Sequence, residues 1–115
     1  MDIADFRERL KQKSKGKAGM ILIHNGIVRA SSRDGTKCEK VDVQVDFDKL
    51  SEIVEATQNM PGIVAVDVEI KEGTLSVGQD LMLLGVAGDF RENTISALTY
   101  CLDRIKKEVT TKKEY

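Results

Sequence analysis

The chain has 115 residues, of which 41% are hydrophobic and 32% charged, and its formal net charge is −1. This length predicts a single domain spanning residues 1–115, and the balance of apolar and charged residues is that of a globular protein and argues against disorder. No apolar run approaches the ~20 residues of a membrane span and the acidic start is unlike a secretory signal, so we expect a cytoplasmic protein. Cys38 and Cys101 lack a CxxC or Cys/His spacing, and we therefore expect two free thiols and no bound metal.

Charge is segregated along the chain. Residues 7–17 carry six basic side chains against one acid, whereas residues 39–72 carry nine acids against three lysines. A basic run of this length indicates an anion site, a nucleic-acid patch or a solvated helix face, and composition leaves these three interpretations open.

The N-terminal part of the chain predicts a helix followed by a strand. Ile3, Phe6 and Leu10 recur at helical spacing, which indicates a first helix. The run MILIHNGIV at 20–28 is rich in branched aliphatics and predicts a strand, in which Gly26 is expected to mark a bulge.

A second strand and a second helix are predicted after an exposed loop at 30–39. KVDVQVDF at 40–47 alternates apolar and polar residues, as a half-buried strand does, and we expect it to be able to continue a sheet across a two-fold axis. DKLSEIVEATQNM at 48–60 carries an apolar stripe at helical spacing and stops at the only proline. The stripe consists of Leu50, Ile53, Val54 and Thr57.

The second half predicts paired strands and a long helix. IVAVDVEI at 63–70 alternates, KEGTLSVGQ at 71–79 supplies two glycines for a turn, and DLMLLGVA at 80–87 is apolar enough for a central strand covered on both faces. From Arg91 a helix that carries the terminal lysines is expected to bury Ile95, Leu98, Leu102, Ile105 and Val109 against the sheet. The order of elements predicts an α+β domain with helices packed on a mostly antiparallel sheet.

Few motifs for catalysis are present. The sequence has no P-loop, no GxGxxG and no nucleophile elbow. His24, the only histidine, lies within a strand pattern with no acid or thiol at a recognisable spacing, which favours a structural or surface role. The remaining candidates are cations at the ends of elements, which suit an anionic substrate: Arg29, Arg33, Arg91, Lys106 and Lys113.

Five short stretches occur in an order that points to a family: GIVR at 26–29, KEGTLSVGQ at 71–79, FREN at 90–93, LDRIKK at 102–107 and KKE at 112–114. Together they resemble the large, catalytic subunit of molybdopterin synthase. The resemblance implies the hammerhead α+β fold of that family and a homodimer that becomes a heterotetramer with two copies of a small ubiquitin-like sulfur-carrier subunit ending in Gly-Gly.

The resemblance also implies an activity. A sulfurtransferase of this type takes sulfur from the carrier's C-terminal thiocarboxylate to cyclic pyranopterin monophosphate, in the synthesis of the molybdenum cofactor and without a cofactor of its own. Arg29, Arg91 and Lys106 match family functional cations, and Lys113, or Lys112 with a one-residue gap, matches the second lysine. We thus expect Lys106 and Lys113 to be catalytic, and Arg29, Arg91, Lys112 and Arg33 to bind substrate.

Three departures from the family pattern leave alternatives open. Phe90 and Ile27 replace a histidine and a lysine of the family, and the aromatic residue before KKE is absent. One alternative is a non-catalytic relative that binds a ubiquitin-like carrier or an anionic pterin. The other is a weak nucleic-acid binder that uses the basic N-terminal helix and the tail.

Overall fold

The computed structural model describes residues 1–115 as three helices and six strands. Their bounds are α1 Ile3–Ser14, β1 Met20–Ile27, β2 Lys40–Val45, α2 Phe47–Gln58, β3 Ile63–Ile70, β4 Gly73–Ser76, β5 Asp80–Gly88, α3 Arg91–Glu108 and β6 Thr110–Glu114. The first two helices are each preceded by a capping aspartate, Asp2 and Asp46, whose side chains accept hydrogen bonds from backbone N–H groups of the first turn. None of the helices combines the length and apolarity that a membrane span requires.

The strands form two antiparallel sheets, with the orders β1-β5-β3 and β4-β2-β6. The predicted α+β class with an antiparallel arrangement is confirmed. A register shift between Gly26 and Ile27, near the end of β1, matches the bulge expected there. β5 lies between two strands and its residues 81–88 are all buried, as predicted for a central strand.

Helices cover both faces of the first sheet. Phe6 and Leu10 of α1 are fully buried and pack with Leu83 and Ala87 of β5 on one face. Gly85 allows this approach, because a Cβ at that position would collide with the side chains of Leu10 and Phe6. On the other face, α3 and α2 pack over the larger core cluster, which includes residues of β5 and of both helices.

The rotation of α3 about its axis differs from the predicted one. The residues that α3 buries are Thr94, Ala97, Cys101 and Ile105. Leu98 and Leu102 are only partly buried, and Ile95 is 48% exposed, so its predicted burial is wrong. Small side chains at Ala97 and Cys101 bring the helix close to the sheet, and this places the larger aliphatics at the margin of the contact.

The second sheet contains two strands that the sequence pattern did not predict. β4 lies within the expected turn, and β6 is formed by the tail that was assigned to the end of the long helix. Because β6 and β4 flank β2, the expectation that β2 can continue a sheet across a two-fold axis is wrong. Phe47, placed in the second strand by the alternation, is the first residue of α2 and is 52% exposed.

Candidate functional site

A cleft of about 590 Å³ opens where the end of β1 and the following loop meet the last turn of α3 and the strand β6. Its walls are formed by Ile27, Val28, Arg29, Ser31, Arg33, Cys38, Val41, Leu81, Lys106, Thr110, Lys112 and Glu114. Four strands (β1, β2, β5 and β6), the helix α3 and the loop after β1 thus contribute to one surface depression.

Four of the six cations singled out in the sequence line this cleft: Arg29, Arg33, Lys106 and Lys112. The only acid in its walls is Glu114. Four cations against one carboxylate give the cleft a positive potential, which attracts and holds anions. A second depression, of about 410 Å³ between α2 and β3, contains Glu55 and Asp67 and no cation, and it therefore does not suit an anion.

Lys106 reaches the cleft because of its place on α3. It follows Ile105, which is fully buried, and the helix is capped at its C-terminus by Val109, which is 3% exposed. These two apolar anchors fix the last turn, so the exposed side chain of Lys106 is held at the border between core and solvent, beside the cleft.

The alternation of β6 separates its two lysines. Thr110, Lys112 and Glu114 share one face of the strand, and all three line the cleft. Lys113 pairs with Asp42 of β2 in the register, and its Nζ lies 5.4 Å from the centre of the Tyr115 ring. The structure therefore places Lys112 at the cleft, and Lys113 on the opposite face of β6.

The electrostatics of Lys112 reflect this crowding of positive charge. Its pKa lies below the ordinary value, first because its amine is partly desolvated and then because Lys106 is close, with a smaller contribution from Arg29. The negative charge of Glu114 has the opposite effect and raises the pKa of Lys112. A charged group whose pKa is displaced by desolvation and like charges within a cleft is typical of a binding or catalytic site, because a bound anion relieves the repulsion.

Arg91 lies outside this group. It is the first residue of α3 and is exposed, and its nearest acid is Glu92, whose Oε1 is 4.0 Å from the guanidinium Nε. Lys106 lies fifteen residues further along the same helix. At 1.5 Å per residue the two positions are separated by about 22 Å along the helix axis, so the two side chains do not serve one cleft within a single chain.

Sequence reasoning missed several residues of the cleft. Glu114 could have been found from strand alternation if β6 had been predicted. Cys38 had no signal: it is buried, and its Sγ donates a hydrogen bond to the Lys40 carbonyl oxygen at 3.2 Å. His24 is half-buried near the cleft, and its pKa is lowered first by burial and then by the charges of Lys106 and Lys112.

No metal-ligand set accompanies these residues, since no three side chains among His, Cys, Asp and Glu converge anywhere in the structure. The chemistry that the cleft offers is that of arginine and lysine: hydrogen bonds and positive charge for phosphate and carboxylate groups.

Comparison with known proteins gives three kinds of match. A family model described as MoaE protein matches residues 1–108. An uncharacterized protein of Methanocaldococcus jannaschii is 30% identical to the chain over 100 residues, which cover 84% of each protein.

Solved structures with the same fold share less sequence. Molybdopterin synthase from Staphylococcus aureus is 23% identical with a TM-score of 0.79, covering 95% of this chain and 82% of that one. Molybdopterin cofactor biosynthesis protein E from Burkholderia multivorans is 17% identical with a TM-score of 0.82, and the match covers 100% of this chain and 77% of that one. A complex of subunits 1 and 2 of molybdopterin-converting factor from Helicobacter pylori includes a chain that is 16% identical, with a TM-score of 0.76. The match covers 99% of this chain and 78% of that one.

Proposed function

The chain belongs to the MoaE protein family, and from this membership we propose that it acts in molybdenum cofactor biosynthesis as the catalytic subunit of a molybdopterin synthase. The family match confirms the resemblance inferred from the sequence motifs, and the fold is that of the solved molybdopterin synthase from Staphylococcus aureus. The observation that carries the proposal is the convergence of Arg29, Lys106 and Lys112 in one cleft.

The proposed reaction brings two anions together. The carrier's C-terminal thiocarboxylate supplies sulfur, and the cyclic pyranopterin carries a phosphate. Each sulfur forms a bond to a pterin carbon as a bond from that carbon to oxygen breaks. Water then cleaves the bond between the sulfur and the carrier's acyl carbon, so that the carrier leaves with an ordinary carboxylate. Two rounds leave the two sulfurs of a dithiolene. A site that holds both reactants must offset negative charge on each, and four cations supply that charge.

Roles within the cleft follow from position. We assign Lys106 to the reacting centre, since it projects from the end of a rigid helix and can stabilise negative charge that develops as sulfur adds. Arg29 and Arg33 offer planar, two-pronged hydrogen bonding for a phosphate. Lys112, rather than Lys113, is our candidate for the second family lysine, because it lines the same cleft as Lys106.

The proposed partner is a small ubiquitin-like carrier ending in Gly-Gly. The structure from Helicobacter pylori is a complex of subunits 1 and 2 of molybdopterin-converting factor, which supports a two-component system for this chain. Two glycines have no side chains, so such a terminus is narrow enough to enter the cleft in an extended form. We further propose a homodimer with one carrier on each copy, which would bring Arg91 of one copy within reach of the other copy's cleft.

The nucleic-acid alternative has less support. Two cations of the basic N-terminal run are paired with acids of β3, Arg9 with Glu69 and Lys13 with Asp67. These pairs reduce the positive charge that the helix presents to a phosphate backbone. Binding to duplex or single-stranded DNA should be weaker than micromolar at physiological salt, and a titration against salt concentration measures it.

A single-turnover assay tests the proposed function. Wild-type protein is mixed with a thiocarboxylated Gly-Gly carrier and cyclic pyranopterin monophosphate, and the dithiolene product and the released carboxylate are measured together. We expect both products with the protein and neither without it. A carrier complex that forms but yields no product would identify the chain as a non-catalytic relative.

A further inference from the structure

His24 lies on the face of the first sheet that is covered by α3. In the antiparallel pairing of β1 with β5, His24 lies opposite Leu84. Leu84 belongs to the core cluster that also contains Ile105 of α3. Its neighbour Ile23 lies on the other face, against α1. The imidazole is therefore directed toward the side of the sheet where the last turn of α3 and β6 form the cleft.

The ring leans along the strand toward the cleft. Gly26 is two residues further on and shares the same face of β1, and a Cβ placed there would lie 3.5 Å from Nε2 of His24. Glycine leaves that space open beside the imidazole, and Val28 and Arg29, two residues of the cleft wall, follow Gly26 by two and three positions. A larger side chain at position 26 would stand between the imidazole and the cleft.

The imidazole nitrogens have no partner within the protein. The amide of the adjacent Asn25 is hydrogen-bonded to Asp80 and to the carbonyl oxygen of Met82. No side-chain hydrogen bond involves His24. A half-buried imidazole that is directed at a cleft with both nitrogens free has hydrogen-bonding capacity that a bound ligand can use.

The charges that face His24 are both positive. Lys106 approaches from α3 and Lys112 from β6, while the opposite strand β5 presents the apolar Leu84. The only acid of the cleft, Glu114, is on the same face of β6 as Lys112. Burial and the two lysines lower the pKa of His24 below the ordinary 6.5, so the imidazole is neutral at neutral pH. An anion held by the two lysines would reverse the sign of the local field.

We propose that His24 is a direct contact of the anion bound in this cleft, with Nε2 donating a hydrogen bond to it beside Lys106 and Lys112. The shared chemistry is an oxyanion, either a phosphate group or a C-terminal carboxylate. The inference rests on the proposed function only in that the cleft takes an anion. Binding is then coupled to protonation: the complex holds the imidazolium more readily than the free protein, so affinity rises as pH falls.

The sole histidine makes this coupling directly observable by NMR. The Cε1–H resonance of His24 is followed from pH 5 to pH 8 in untagged protein, alone and with each of two probes. Sulfate represents the phosphate, and N-acetyl-Gly-Gly represents the carrier's carboxylate end. Neither probe changes its own charge over this range, so a shift in the titration belongs to the protein.

Three expected results support the inference. At least one probe raises the pKa of His24, and the probe that does so identifies which oxyanion the imidazole contacts. The affinity for that probe is at least about threefold higher at pH 5.5 than at pH 8, since each unit of pKa difference between free and bound protein corresponds to about tenfold in affinity. In His24→Gln, which keeps a hydrogen-bond donor, the probe still binds but this pH dependence is lost.

Variants of the lysines supply the control. Lys106→Ala and Lys112→Ala should each raise the pKa of His24 in the free protein, whereas Lys107→Ala, on the exposed side of the same helical turn, should leave it unchanged. The inference is overturned if a probe binds, as seen by shifts of the Lys106 or Lys112 resonances, while the titration of His24 stays the same. It is also overturned if neither probe binds. Sulfur transfer by wild type in the single-turnover assay would, in both cases, leave the proposed function standing.

Discussion

The two ends of α3 carry Arg91 and Lys106, the two cations of this helix that the family resemblance selected, and the two ends differ in burial and in surroundings. At the C-terminal end, Ile105 and Val109 are buried, the chain continues directly into β6, and Lys106 lies with Lys112 in a cleft. At the N-terminal end, Phe90 precedes the helix, makes no side-chain capping hydrogen bond and is 68% exposed. Residues that occur in order along one helix therefore do not form one site, because a rigid helix of 18 residues holds its ends about 27 Å apart.

The largest expected difference between the two ends is in stability. Ile105→Ala removes a fully buried side chain from the main core cluster and should lower the free energy of unfolding by about 2–5 kcal/mol. Ile95→Ala, at the N-terminal end, removes a half-exposed side chain and should change it by less than about 1 kcal/mol. Urea denaturation of both variants measures the difference. Equal losses would mean that the two ends of α3 are packed alike, contrary to the structure.

A mixing experiment tests whether the two ends serve different clefts. Arg91→Ala and Lys106→Ala should each be nearly inactive in sulfur transfer if both residues act in the reaction. Chains of the two variants, unfolded and refolded together, should regain about a quarter of wild-type activity, since half of the dimers are mixed and one of their two clefts is complete. The same mixture of Lys106→Ala with Lys112→Ala should regain none, because both residues line one chain's cleft. Recovery in neither mixture would contradict a cleft shared between two copies.

Lys112 and Lys113 allow a second comparison, between the two faces of β6, for which a smaller effect is expected. Lys112→Ala removes a cation from the cleft and should slow sulfur transfer about tenfold, or about 1.4 kcal/mol. Lys113→Ala, on the opposite strand face, should slow it less than about twofold, which corresponds to less than about 0.5 kcal/mol. The single-turnover rates of the two variants, each compared with wild type, measure these two effects. A larger loss of rate in Lys113→Ala than in Lys112→Ala would show that the reaction uses the face of β6 that carries Lys113.

The smallest effect expected is on the pH dependence of stability. A histidine whose pKa is lower in the folded protein takes up a proton more readily when the chain is unfolded, so stability falls as pH drops below the ordinary 6.5 and levels off below the folded value. The loss attributable to His24 should be the smallest of these effects, because solvent screens part of the charge at this half-exposed site. Urea midpoints at pH 7.5 and 5.5 should differ more for wild type than for His24→Phe. An identical difference in both would exclude any folded-state effect on this imidazole.

Elements with strong periodic patterns could be predicted from the sequence, and weakly patterned ones could not. The apolar run of β5 and the helical spacing of α1 and α3 were sufficient to identify these elements. β6 consists of TTKKE, which has no apolar residue, so its strand character arises only from pairing with β2. β4 is four residues long and begins with a glycine, which indicates a turn more strongly than a strand.

The rotation of α3 could not be read from its large aliphatics. Thr94 and Cys101, which the pattern treated as neutral, are fully buried, whereas Ile95 is not. Thr94 meets the requirement for a buried hydroxyl by donating a hydrogen bond to the Phe90 carbonyl oxygen at 2.8 Å. A polar residue that satisfies its own hydrogen bond locally has no signature in a hydrophobic pattern.

The site was predictable only in part for a related reason. Arg29 and Lys106 were selected by resemblance, and the structure brings them together. The choice between Lys112 and Lys113 required the register of a strand that was not predicted. The surroundings of His24 depend on how close α3 and β6 lie to β1 in space. The residue pattern of one sequence does not show this proximity.

The central claim is that the cleft at the C-terminal end of α3 carries out sulfur transfer through Lys106. Single-turnover transfer from a thiocarboxylated carrier, compared among wild type, Lys106→Ala and Lys107→Ala, tests it most directly. Loss of a charge that stabilises the transition state should slow Lys106→Ala by roughly 10²–10³-fold, with folding intact and Lys107→Ala close to wild type. Equal rates for all three, with Lys106→Ala losing only about 0.3–1 kcal/mol of stability, would instead show a lysine that merely offsets the negative end of the helix dipole.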